Sequence, residues 1–163
     1  METYTLKGFG LSMEDINLLQ SKDIPILYLS NLSNNTLNTI PASYASWLYK
    51  TEEGSYNHIS VQNFNQSPNI IPMLPRIEMS ALNKKIKIRF SLIPKSYTVH
   101  CWPEALGGFR KTYNNDSKQY LEVMDNTVTL PIEEPSYIIQ ISGIWEQGEV
   151  SYVFSITELT GDI

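Results

Sequence analysis

The chain is poor in the residues from which reactive sites are most often built, with one cysteine and two histidines in 163 residues. A single cysteine, Cys101, excludes an internal disulfide and any multi-cysteine metal site. His58 and His100 lie far apart in sequence, and no paired-histidine or EF-hand acid spacing accompanies them, so neither a metal nor a cofactor is expected. Neither a nucleophile-elbow serine pattern nor a glycine-rich phosphate cradle occurs. Cations are also scarce: 12 Lys and Arg stand against 17 Asp and Glu, for a net charge of −5. An acidic chain with a pI near 5.0 is a poor match for the phosphates of nucleic acid. No apolar run approaches the about 18 residues needed to span a bilayer. Met1-Glu2-Thr3-Tyr4 lacks the basic start and apolar stretch of a signal peptide. The chain is therefore expected to be cytosolic, or a mature segment given a new start.

What is present points to strands. Hydrophobic residues make up 42%, and ten tyrosines sit among many Asn, Thr and Ser, a mixture that favours strands and turns over helices. Nine prolines are spread along the chain, as short strands with loops require. The length suits one domain with a core of its own.

Residues 136–156 form the clearest unit. Tyr137, Ile139, Ile141, Gly143 and Trp145 share one parity, so they line one face of a strand. Tyr152, Phe154 and Ile156 repeat the pattern after Glu146-Gln147-Gly148-Glu149, where Gly148 can supply a positive φ. The spacing predicts a hairpin, with Gly143 marking a bulge or a close backbone approach. Residues 85–92 alternate most regularly: Ile86, Ile88, Phe90 and Leu92 take one face, and Lys85, Lys87 and Arg89 the other. That basic row is either a solvated or guarded strand face or a surface for an anionic ligand. Further strands are expected over 3–9, 24–32, 39–50, 58–64, 98–102, 120–124 and 127–130. Residues 12–22 predict one short helix, with Ser12 as N-cap and Met13, Ile16 and Leu19 at helical spacing. Residues 66–75, with Pro68, Pro72 and Pro75, predict an extended connection.

The pattern of Ser43-Tyr44 with Trp47, the proline-rich link, Lys85-Ile86 with Ile88 and Phe90, Thr98-Val99 with Trp102, residues 127–131, and Tyr137, Ile141, Trp145, Gly148, Tyr152 and Phe154 resembles a known family. These are extracytoplasmic domains of Gram-positive bacteria, found as small lipoproteins and in membrane-anchored sensor proteins of unknown function. The likeness covers about residues 38–157. It implies an immunoglobulin-like antiparallel β-sandwich, a place outside the membrane and no enzyme activity. Relatives carry cysteines near the position of Ala45 and Ser46 and an upstream lipid or membrane anchor, none of which this chain shows. Tyr137 also stands where such folds place a corner tyrosine, with Ile139 where antibody domains have a cysteine.

The resulting expectation is a mainly β single domain over 1–163. A strand and helix extension occupies 1–37, and an immunoglobulin-like sandwich occupies 38–159. Function is expected to be non-catalytic: a binding or interaction module of the cell envelope, meeting a protein or small ligand at the cell surface. Two other readings stay open. One is a hydrolase using the loop carboxylates Glu133, Glu134, Glu146 and Glu149; the other is a cytosolic regulatory or inhibitor protein that starts at Met1. Ligand binding is placed at Trp102, Arg110, Tyr113 and Asp116, where a Gly107-Gly108 entry, cations and aromatics make a recognition loop. Trp47 and Trp102 are either an aromatic platform or core residues.

Overall fold

The structure, a computed structural model, describes residues 22–32, 36–62, 75–80, 85–103, 118–131, 133 and 136–159. Among these residues there are twelve strands and no helix. The short helix expected at 12–22 and the first strand expected at 3–9 fall almost wholly outside the described residues.

Five strands make sheet A. They are β1 (Leu27–Asn31), β2 (Thr36–Ile40), β6 (Lys85–Phe90), β9 (Val123–Met124) and β10 (Thr127–Thr129), in the order β2-β1-β6-β10-β9. Seven make sheet B: β3 (Tyr44–Lys50), β4 (Tyr56–Gln62), β5 (Arg76–Ser80), β7 (Ser96–Pro103), β8 (Gln119–Leu121), β11 (Ser136–Trp145) and β12 (Gly148–Leu159). Sheet B runs β4-β3-β12-β11-β7-β8, with β5 added to β12. Pairings are antiparallel except β5 with β12, which is parallel. The inner faces of both sheets enclose one apolar core, the arrangement of a β-sandwich.

The 136–156 hairpin is the centre of sheet B. Ten residue pairs run from Ser136↔Thr157 to Trp145↔Gly148 without a break in register. Gly143 is therefore not a bulge but a close approach: a Cβ there would stand 2.6 Å from the Trp145 ring. Gly148, at φ 149°, faces the Ser46 carbonyl so closely that any side chain would collide with it. Trp145 packs edge-on against Trp47 and Phe90, with ring centroids 5.9 and 5.3 Å apart, and its indole N–H donates to the Leu92 carbonyl at 2.8 Å. One side chain of sheet B thus fastens the strand ends of sheet A. Tyr152 does the same from the next strand, its buried hydroxyl donating to the Pro25 carbonyl at 2.7 Å.

One reading of the sequence is refined here, and another strand takes its place. Residues 39–50, expected as one strand, are split between the sheets: Ile40 ends β2 in sheet A, and Tyr44 begins β3 in sheet B. Pro41, which has no N–H to give to a ladder, stands at the crossover. Ser43 then covers a gap on β12, its hydroxyl accepting from the Val153 N–H at 3.1 Å between the stretches paired with β3 and β5. The strand expected over 24–32 is present as β1, an interior strand of sheet A with Leu27 and Leu29 fully buried.

Candidate functional site

Strand β6 has the burial pattern its alternation predicts: Ile86, Ile88 and Phe90 are buried, and Lys85, Lys87 and Arg89 are exposed. Side chains two apart on a strand lie about 7 Å apart, so the three cations form a row on the outer face of sheet A. Register places Tyr28 beside Arg89, Ser30 and Thr127 beside Lys87, and Thr129 beside Lys85. The Arg89 guanidinium lies 4.6 Å from the centre of the Tyr28 ring, a cation–π contact that holds it against the sheet. None of the three cations forms an ion pair among the described residues. Glu122 and Asp125 border the hollow beside Lys85, which has a volume of about 540 Å³, but neither closes a salt bridge to it. The face is thus cationic and hydroxyl-rich, on a chain whose net charge is −5.

A second hollow opens where this row ends. The β6–β10 ladder stops at the bond from Ile88 N–H to the Asn126 carbonyl, 2.7 Å, because Asp125 and Asn126 turn the chain away. Both turn residues have positive φ, 52° and 58°, which Asp and Asn tolerate better than other side chains. Beyond the turn lies a cavity of about 600 Å³, lined among others by Phe90, Ile93, Lys95, Tyr97 and Val123. Tyr97 donates to the Asn126 side-chain carbonyl at 2.8 Å, and burial raises its phenol pKa. Lys95 is held by Glu146 at 3.0 Å.

Of the ligand-binding residues singled out from sequence, Trp102 alone is among the described residues. Trp102 lies on the outer face of sheet B, opposite Ile138, and is only 3% exposed. It packs edge-on against His100, which in turn meets Tyr120, with the Lys118 ammonium over the Trp102 and Tyr120 rings. Arg110, Tyr113 and Asp116 lie outside the described residues, as does Glu134. Burial, with the nearby Lys118 charge second, pushes the His100 imidazole pKa down. Cys101 points the other way, into the core, where burial and the Glu133 charge push its thiol up to about 12. Strand parity thus separates the histidine from the thiol, and the thiol is held in its unreactive form.

One hydroxyl–imidazole pair was not foreseen: Ser46 Oγ and His58 Nε2 are 2.9 Å apart. The two sit on adjacent strands, Ser46 opposite Ser60 and His58 opposite Leu48, so they meet diagonally across the sheet. The pair is exposed, and no carboxylate bonds the imidazole among the described residues. A serine nucleophile of the triad kind would need an acid to orient that imidazole. Glu146 is committed to Lys95. No group of three or more potential metal ligands occurs among the described residues. No described helix is long and apolar enough to cross a membrane.

The signal that could have singled out the β6 face was already in the alternation of residues 85–90. The end cavity was not visible in sequence, since Phe90, Tyr97 and Val123 come together only through the sandwich. No family model matches the chain, and no curated protein or solved structure matches it.

Proposed function

We propose that the chain is a non-catalytic binding module that meets an anionic partner on the outer face of sheet A. The observation that carries this reading is the row Lys85, Lys87 and Arg89, three exposed cations without an acidic partner among the described residues. An isolated cation on an acidic surface would find a carboxylate at little cost. Three of them that form no ion pair among the described residues, beside Tyr28 and a fringe of Ser and Thr hydroxyls, present charge and hydrogen-bond donors in one plane, with Glu122 and Asp125 at its edge beside Lys85. The immunoglobulin-like character of the sandwich and its place outside the membrane of a bacterial envelope belong to the same proposal. They are supported by the sequence resemblance and by the two-sheet core.

The test uses poly-L-glutamate and inorganic polyphosphate as probes, in low salt, with the full chain. Because the net charge of −5 repels both, retention by either reports a local cationic surface and not bulk charge. Replacing Lys85, Lys87 and Arg89 together by Gln is expected to weaken binding tenfold or more. Loss of binding only with Arg110→Ala and Tyr113→Ala would move the site to the segment that carries those two residues.

A further inference from the structure

We propose that the notch at the end of β6 receives one extended residue of a partner polypeptide, which adds to the strand at Phe90 and sets an apolar side chain in the cavity. The rungs of β6 alternate. Lys85 and Ser91 bond toward β1, through Leu32 N–H to the Lys85 carbonyl at 3.1 Å and Ser91 N–H to the Ile26 carbonyl at 2.9 Å. Ile88 bonds the opposite way, to Asn126. Phe90, two residues on, therefore turns its N–H and C=O to the side that β10 has already left.

A main-chain donor and acceptor facing an open space of about 600 Å³ match another extended backbone, the recognition mode of strand addition. The apolar walls, Phe90, Tyr97 and Val123, suit an aliphatic or aromatic side chain, with Ile93, 80% exposed, at the lip. Asp125 also lines the cavity; of its two cations Arg89 forms no ion pair among the described residues, whereas Lys95 is engaged by Glu146. Acidic residues flanking the inserted one would then lie along the β6 row; this clause alone rests on the anionic-partner reading. The turn at Ser91-Leu92 limits the addition to about one residue, so affinity comes from the rung, the cavity and the flanking charges together.

The experiment pans a random heptapeptide phage library on the full chain, then measures the selected peptides as free, amidated synthetic peptides. Ser96→Trp sets a bulky ring at the exposed rim of the cavity, which Ser96 helps to line, and Ile93→Asp alters the lip without touching the core. The expected result is a peptide family with one apolar residue flanked by Asp or Glu. Such peptides weaken about tenfold or more against Ser96→Trp, and likewise when the peptide bond of the apolar residue is N-methylated. Failure of any family to emerge overturns the proposal. So does a family that binds Ser96→Trp and the parent chain equally. If that family is still lost on Lys85→Gln/Lys87→Gln, the notch is wrong and the cationic face stands. A concentration-dependent dimer that Ser96→Trp dissolves would give the notch to a second copy, and would also overturn the proposal.

Discussion

The outer faces of the two sheets are built from the same kind of alternating strand, yet they meet different surroundings. On sheet A, Lys85, Lys87 and Arg89 point outward and are exposed. On sheet B, the outward residues of β11, β12 and β7 include Ile138, Val153, Ser155, His100 and Trp102, and all five are buried. Register joins them into two rows, Trp102–Ile138–Ser155 and His100–Gln140–Val153. A sheet face that buries apolar groups contributes to stability, whereas an open face of cations contributes little and remains available for a partner. The same alternation therefore signals packing on both faces of sheet B around β7, β11 and β12, and on sheet A an open cationic row on which the proposed recognition rests.

The largest expected effect separates the faces by charge insertion. Ile138→Lys puts an ammonium at a position with no exposure, and the unfolding free energy should fall by about 3 kcal/mol or more. Urea unfolding of the full chain measures it, with Lys87→Glu as the matched change on sheet A. Lys87→Glu is expected to stay within about 0.5 kcal/mol. Equal losses at the two positions would erase the distinction.

Tyr152→Phe probes what the faces share, the tie from sheet B to Pro25 ahead of β1. It leaves the Pro25 carbonyl without its 2.7 Å partner, and a loss of about 1–3 kcal/mol should appear in the same assay. No change would mean that Tyr152 holds the sheets together by packing alone.

A smaller effect is expected from His100, on the buried face. Its folded pKa lies below the ordinary 6.5 because burial and Lys118 disfavour the charged ring, while Trp102, Tyr120 and Gln140 around it carry no charge. The unfolded chain then takes up the proton first. Stability is whole above about 6.5 and falls as pH drops from there toward the folded value. Urea midpoints measured between pH 7.5 and pH 5 should therefore decline more in the parent than in His100→Gln. Parallel curves would show that the ring titrates as in water.

The fold was legible where one periodicity ruled a segment. Residues 85–90 declared both faces, and 136–156 declared hairpin, turn and core row, because each side chain in them answers to a single sheet. Residues 39–50 hold β3 as their pattern predicts, but nothing local to Pro41 says that the chain changes sheets there; that is decided by where β1 and β12 lie. Trp102 illustrates another limit. Parity assigns it to the face opposite Cys101 but cannot say whether that face is open or buried. The cationic row was visible as a pattern, and its lack of acidic partners among the described residues appeared only with the neighbouring strands in place. The cavity depends on the Asp125-Asn126 turn ending a ladder two residues before β6 ends, a mismatch of strand lengths that no single segment contains.

The central claim is that the outer face of sheet A is the recognition surface. Backbone amide shifts of the full chain, followed by NMR during titration with poly-L-glutamate at low and at high salt, test it most directly. The account predicts perturbations clustered at Tyr28, Ser30, residues 85–89 and Thr127, fading as salt screens the charges. Perturbations confined to sheet B, or spread evenly and indifferent to salt, would contradict it.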